Sequence, residues 1–399
     1  MGVAPLLHKC LNNFSLIYEY FWGWTIEWDR RTRKFIVKPI SLDLLGWVIG
    51  NFLLVPIDLV ICGILLTSQI YGIVRFQLLH VMLVILMAHL LGFAFLADTL
   101  MFRNRDEFAS SYNAVIRVGK ETGPTTSPTS QLFENILNSM IPQFVAYPFC
   151  ITIFILYPAL DPLSLLISHL SPFGHLLTSP VFLFIRFLLV FPPSFHVCRV
   201  ICFFHIHFNF LTQNLLSSIR SVNVGFRRLL KNWGMGRFGV AKYLWDYLKQ
   251  QVLTCQLPAA LGEIVASFMF MSLVACVSFN FVTVKVRNTV PMPFYLYFPS
   301  ISVMIPIELQ IMLQTGIDVF EESKQMCTRW KALLECCPDR KFLRRKLQAM
   351  RPIGLYGSIS SFKLYWLKKS VKPAYYSVVV GYTITALLSM ENRRSIIYI

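Results

Sequence analysis

The sequence predicts an all-α, polytopic membrane protein with seven transmembrane helices, a cytoplasmic amino terminus and an extracellular carboxyl terminus. Three observations carry that expectation. Only 14% of the 399 residues are charged and 55% are hydrophobic, whereas soluble chains hold about a quarter charged residues. The apolar residues fall in long blocks, and about 18 or more in succession read as a membrane helix. The basic residues alternate between plentiful and scarce from one gap to the next, as the positive-inside rule demands of successive crossings.

Seven apolar blocks can be drawn, at 44–68, 78–102, 136–160, 180–208, 259–284, 292–316 and 374–390. The fourth is long and contains Pro192-Pro193, which predicts a kink or tilt. The seventh is short. Gaps on one side hold 6, 4, 7 and 13 Lys and Arg, against 1, 0, 2 and 2 on the other. A missed or invented span would break that alternation, so the count and the orientation support each other. The orientation argues against a G-protein-coupled receptor, which has its amino terminus outside and would have to turn the basic gaps outward. No Asp-Arg-Tyr-like triplet ends the third block either.

Residues 1–43 show no basic, apolar, small-residue succession, so no cleavable signal is expected. They contain Trp22, Trp24 and Trp28 and then the basic run Arg30, Arg31, Arg33, Lys34 and Lys38. The first span would act as its own insertion signal. The net charge of +17 does not indicate nucleic acid, because the basic residues sit between apolar blocks, where anionic lipid is the expected partner. In 338–350, Pro338 and Asp339 suit a helix start. Phe342, Leu343, Leu347 and Met350 then form an apolar stripe amid Arg340, Lys341, Arg344, Arg345 and Lys346. That helix either packs within a cytoplasmic domain or lies on lipid.

The ten cysteines fall in spans or on the basic side, so no disulfide framework is expected. Cys198, Cys202, His205 and His207 have helical spacing that resembles a metal set, but they lack the tight loop of structural zinc sites. They read as buried thiols and imidazoles, with no metal and no cofactor. Cys336-Cys337 could carry palmitate, and the sequon at Asn13 lies on the wrong side for glycosylation. Nothing resembles a catalytic set, a nucleotide loop or a nucleophile elbow, so the chain is not expected to be an enzyme. Ionisable residues within spans are functional candidates by default. They are Asp58, His80, His89, Asp98, Arg186, His196, Arg199, Glu263 and Glu308. Arg186 could pair with Asp58 or attract an anionic or carbonyl ligand.

Seven spans, a cytoplasmic amino terminus, short outer loops, a long inner sixth loop and a short last span together resemble the insect-type chemoreceptor superfamily, the gustatory and odorant receptors. The stretch Leu347-Gln348-Ala349-Met350-Arg351-Pro352-Ile353-Gly354-Leu355-Tyr356-Gly357 resembles that family's approach to its last helix, followed by Phe362, Leu364 and a span from Pro373 to Met390. Of the gustatory Thr-Tyr, five-apolar, Gln-Phe ending, only Tyr382 is kept. The resemblance implies a chemosensory ligand-gated cation channel in the plasma membrane, a homotetramer or a heteromer with related subunits, opened by a small-molecule tastant or odorant.

It also implies a division into a cytoplasmic amino-terminal segment (1–43), six helices with a ligand-binding outer half (44–316), a cytoplasmic anchor (317–373), and a pore helix with a short extracellular tail (374–399). The implied pocket residues are His80, Tyr147, Tyr157, Arg186, Tyr295 and Tyr297. The implied pore residues are Gly381, Tyr382, Thr385, Leu388 and Ser389. Gly381 and Thr385 also form a small-xxx-small pair that could serve helix packing instead. The alternative reading is a secondary transporter or orphan multipass protein with a buried polar substrate path, although no two-halves repeat is visible.

Overall fold

The computed structural model describes residues 4–121, 131–156, 160–170, 179–231, 237–285, 287, 292–333, 340–360 and 362–396. The chain opens with helix α1 (Ala4–Tyr18) and an antiparallel hairpin, β1 (Ile26–Asp29) and β2 (Lys34–Val37). The Asp29 carboxylate holds the turn, accepting from the Arg31 backbone N–H and the Thr32 hydroxyl. Arg33 takes the left-handed φ of 53° that closes it. Residues 1–43 are therefore more than a tail. Leu11, Trp24, Trp28 and Phe35 are buried in the main core.

The first long helical segment, α2 (Leu42–Ile70), widens into a π turn over Gly50–Leu54 ahead of Pro56. There follow α3 (Leu78–Arg103), α4 (Arg105–Glu121), α5 (Gln131–Leu156) and the short α6 (Pro162–Leu170). Helix α7 (Pro180–Lys231) runs 52 residues and stays helical through Pro192 and Pro193. At 1.5 Å per residue it is about 78 Å long, far more than the ~30 Å hydrocarbon slab requires. Next come α8 (Arg237–Cys255), α9 (Ala259–Lys285), the single turn α10 (Met292–Tyr295) and α11 (Tyr297–Leu333). The sixth apolar block is thus interrupted at Leu296, where the chain turns between α10 and α11. The chain ends with α12 (Arg340–Ala349), a second hairpin of β3 (Tyr356–Ile359) and β4 (Phe362–Trp366), and α13 (Val371–Ile396).

Two hairpins qualify the all-α expectation without changing the class. Both lie outside the apolar blocks, where short alternating segments can pair. Span number is matched in part. Among the described residues, six helices are long and apolar enough to cross a membrane: α2, α3, α5, α7, α9 and α11. Helix α13 is not one of the six, because tyrosines, threonines and serines dilute its apolar run.

Of the apolar stripe at 338–350, the described side chains are Leu347 and Met350. Both are buried in the main core. The segment that follows is pinned to its neighbours. Tyr247 Oη on α8 donates to the Arg351 carbonyl at 2.8 Å, and Ser323 Oγ on α11 donates to the Ile353 carbonyl at 2.9 Å. Gly354 is needed where it sits, because a Cβ there would come within 2.8 Å of the Phe320 ring.

Candidate functional site

A cavity of about 130 Å³ lies among α3, α5, α7, α9 and α11. Each helix turns an apolar stripe into it. Met87 and Leu90 come from α3, Phe144 and Ile151 from α5, Phe268 and Phe279 from α9. Along α11 the wall runs from Tyr297 through Ile301 and Met304 to Glu308, the spacing of one helical face. Tyr297 is fixed by stacking on Phe154, with ring centroids 5.6 Å apart. Tyr147 on α5 donates its hydroxyl to Met304 Sδ at 3.0 Å. At the end away from Tyr297, Glu308 faces His205 of α7, with Nε2 and Oε2 3.5 Å apart. An apolar enclosure with a few polar groups is the ordinary form of a small-molecule site.

Of the six pocket residues named from sequence, Tyr147 and Tyr297 line this cavity. Tyr295 lies just before α11 and donates its hydroxyl to the Thr283 carbonyl at 2.8 Å. His80 lies at the start of α3, outside the lining. Tyr157 falls outside the described residues, as do Cys336 and Cys337. Arg186 is engaged elsewhere. Its guanidinium forms a buried ion pair with Asp161, with Nε 2.8 Å from Oδ1, and also donates to the Leu156 carbonyl at 3.0 Å. The sequence left Arg186 two alternatives, an ion pair with Asp58 or an anionic or carbonyl ligand. The loop ahead of α6 supplies Asp161 instead, and that carboxylate also accepts from the Ser164 backbone N–H at 2.9 Å.

His205 and Glu308 were visible in the sequence only separately, one within a supposed metal set and one as a lone intramembrane charge. Nothing in the spacing could pair them, because they lie on different helices. Among the described residues no three His, Cys, Asp or Glu side chains converge as metal ligands. Cys198, Cys202, His205 and His207 accordingly do not assemble, and His207 Nδ1 is bonded to the Phe203 carbonyl at 2.7 Å.

Helix α13 lies against α9 and α11. Tyr375 Oη donates to the Met269 carbonyl at 3.2 Å, and Tyr376 Oη donates to the Pro306 carbonyl at 3.1 Å. Lys372 reaches Gln314 at 3.3 Å. Residues 372 and 376 thus meet α11 at successively earlier positions, so α13 runs antiparallel to α11 along its membrane-crossing part. Val379, Thr383, Ala386 and Leu387 continue the packed face. The opposite face is bare. Gly381, Tyr382, Thr385, Leu388 and Ser389 are all exposed on it. The Thr385 hydroxyl bonds back to the Gly381 carbonyl at 2.9 Å, as serine and threonine do in helices that lack an outside partner.

No family model matches the sequence, and no curated protein matches it either. Solved structures do. The insect olfactory receptor OR5 from Machilis hrabei, in complex with eugenol, superposes with a TM-score of 0.61 at 12% identity, over 96% of this chain and 98% of that one. A second structure of the same receptor gives 0.58 at 11% identity with the same coverage. Agreement across nearly the whole of both chains, at an identity too low to carry sequence-level inference, establishes the architecture. This chain has the fold of the insect olfactory receptors.

Proposed function

We propose that this protein is a chemosensory receptor of the gustatory or odorant type, acting as one subunit of a ligand-gated cation channel. In this reading the basic gaps face the cytoplasm, α13 crosses as the seventh span, and four subunits turn its bare face toward a shared axis. One observation carries the proposal. Residues 373–390 hold no charge, and α13 runs beside α11 while leaving Gly381, Thr385 and Leu388 uncovered in the isolated chain. A helix carrying small, hydroxyl and apolar side chains on an uncovered face suits a pore with a hydrophobic gate. The OR5 structure with eugenol supports a small organic ligand here, and the cavity among α3, α5, α7, α9 and α11 is where it would sit.

The test is electrical. Cells expressing the full chain are exposed to sugars, bitter compounds and volatiles while conductance is recorded. Ligand-evoked cation currents are expected, with unitary conductance or gating changed by Leu388→Ala and Thr385→Val. Ile301→Trp, which fills the cavity, is expected to raise the half-maximal concentration at least about tenfold, equivalent to about 1.4 kcal/mol. Saturable uptake without unitary current steps would overturn the channel in favour of a transporter.

A further inference from the structure

Two polar atoms at one end of the cavity have no hydrogen-bond partner. Glu308 is 6% exposed and its Oε1 is bonded to nothing, while His205 is 1% exposed and its Nε2 is likewise unbonded. The two side chains approach to 3.5 Å through the other carboxyl oxygen, beyond an ordinary hydrogen bond. The His205 ring is held edge-on against Phe268 at 4.9 Å. Both side chains belong to the cavity wall, which is otherwise almost wholly apolar. A buried polar atom left unmatched forfeits its hydration without a replacement bond. Two such atoms side by side in an enclosure are therefore suited to a group that enters it.

The chemistry of that group follows from what each atom lacks. Glu308 Oε1 needs a donor. His205 Nε2 accepts or donates according to its tautomer. A hydroxyl both donates and accepts, so a single oxygen can serve both atoms. A carbonyl only accepts, so it could take an N–H from His205 Nε2 but would leave an ionised Glu308 Oε1 without a donor. A carboxylate would add like charge, and a hydrocarbon would leave both atoms unmatched. Size narrows the class further. A cavity of about 150 Å³ holds benzene, close to the volume here.

We propose that the cavity recognises compact apolar molecules bearing one hydroxyl, single-ring phenols or short alcohols, through Glu308 Oε1 and His205 Nε2. The inference rests on the reading of this cavity as the ligand site. The experiment uses the purified full chain in lipid nanodiscs with p-cresol and p-xylene, which match in size and differ by a hydroxyl in place of a methyl. After correction for partition into empty discs, p-cresol is expected to bind at least tenfold more tightly. Glu308→Leu should abolish that preference while keeping p-xylene binding, and His205→Phe should narrow it severalfold.

Equal binding of the two compounds by the wild-type chain overturns the hydroxyl inference and leaves the cavity as a ligand site. Tighter binding of p-toluidine than of p-cresol overturns it in favour of an amine. Absence of binding by all three compounds, unaltered by Ile301→Trp, overturns the ligand-site reading itself. If Glu308→Leu does not fold, His205→Phe carries the test, and an unchanged preference there counts against the proposal.

Discussion

Two buried carboxyl groups face histidines of α7, and they are treated in opposite ways. Asp98 on α3 is 0% exposed, accepts from Trp24 Nε1 at 2.6 Å and from Trp47 Nε1, and stands 3.2 Å from His196 Nε2. It gathers the amino-terminal hairpin region, α2, α3 and α7 onto one side chain. Nearby, Arg199 lies over the Tyr18 and Trp24 rings at 5.4 and 5.0 Å and donates to the Trp22 carbonyl at 2.8 Å. Glu308 is almost as buried, yet its Oε1 accepts no hydrogen bond and its Oε2 only stands 3.5 Å from His205 Nε2. Burial alone does not separate structure from function here; what separates them is whether the polar atoms are matched. A matched buried carboxyl fastens elements together, whereas in the proposed reading the unmatched Glu308 Oε1 beside the cavity receives a ligand group.

The largest expected effect is on the matched side. Asp98→Leu strands two indole N–H groups in the core, and each buried donor left unmatched costs about 1–3 kcal/mol. A thermal-unfolding midpoint, or the yield of folded protein, should fall steeply. Asp98→Asn, which keeps one acceptor oxygen, should fall less. A wild-type midpoint in Asp98→Leu would break the comparison at its first term.

The next effect has the opposite sign. Glu308→Leu removes an unmatched buried carboxyl and creates no new orphan, because His205 Nε2 has no hydrogen bond to lose. The ligand-free chain should gain about 1–3 kcal/mol, the desolvation penalty of such a group. Stability traded for function in this way is common at binding sites. If Asp98→Leu and Glu308→Leu destabilise alike, matching is not the distinction that matters.

The same contrast explains what could be read from the sequence. Long apolar runs place the six candidate crossing helices and set their starts to within about five residues, because hydrocarbon burial is a property of a segment and not of its partners, whereas α7 and α11 run on to Lys231 and Leu333, well past their apolar blocks. Tyr147 and Tyr297 were named through the family resemblance, which implies a pocket in the outer half of the helices, and both line the cavity. Pairings between helices were not legible. Arg186 chose Asp161, which lies outside every apolar block. Glu308 and His205 meet only through the crossing of α11 and α7. The amino-terminal hairpin was missed although Trp24, Ile26 and Trp28 alternate with period two, because β1 is four residues long and such a short run carries little signal.

The smallest effect probes a third histidine, outside the membrane-spanning helices. His8 on α1 stacks on Trp28 at 5.3 Å and lies 5.8 Å from Phe210, with its Nδ1 unbonded. Burial, reinforced by the positive charges of Arg33 and Lys120, holds its pKa down from 6.5 to about 4. The unfolded chain therefore takes up this proton near 6.5, and the folded chain takes it up only near 4. The contribution to stability is complete above 6.5 and is lost as the pH falls from there toward 4. Helix α1 and the β1–β2 hairpin should loosen first, read as faster hydrogen exchange over residues 4–18 and 26–37 at about pH 5 than at about pH 7, after correction for intrinsic exchange. His8→Phe keeps the aromatic stack and should flatten that dependence. Equal protection of α1 at both pH values in the wild-type chain would show that an unmatched imidazole on this packed surface is relieved on protonation by another route. The rule drawn from Asp98 and Glu308 would then hold only inside the membrane helices.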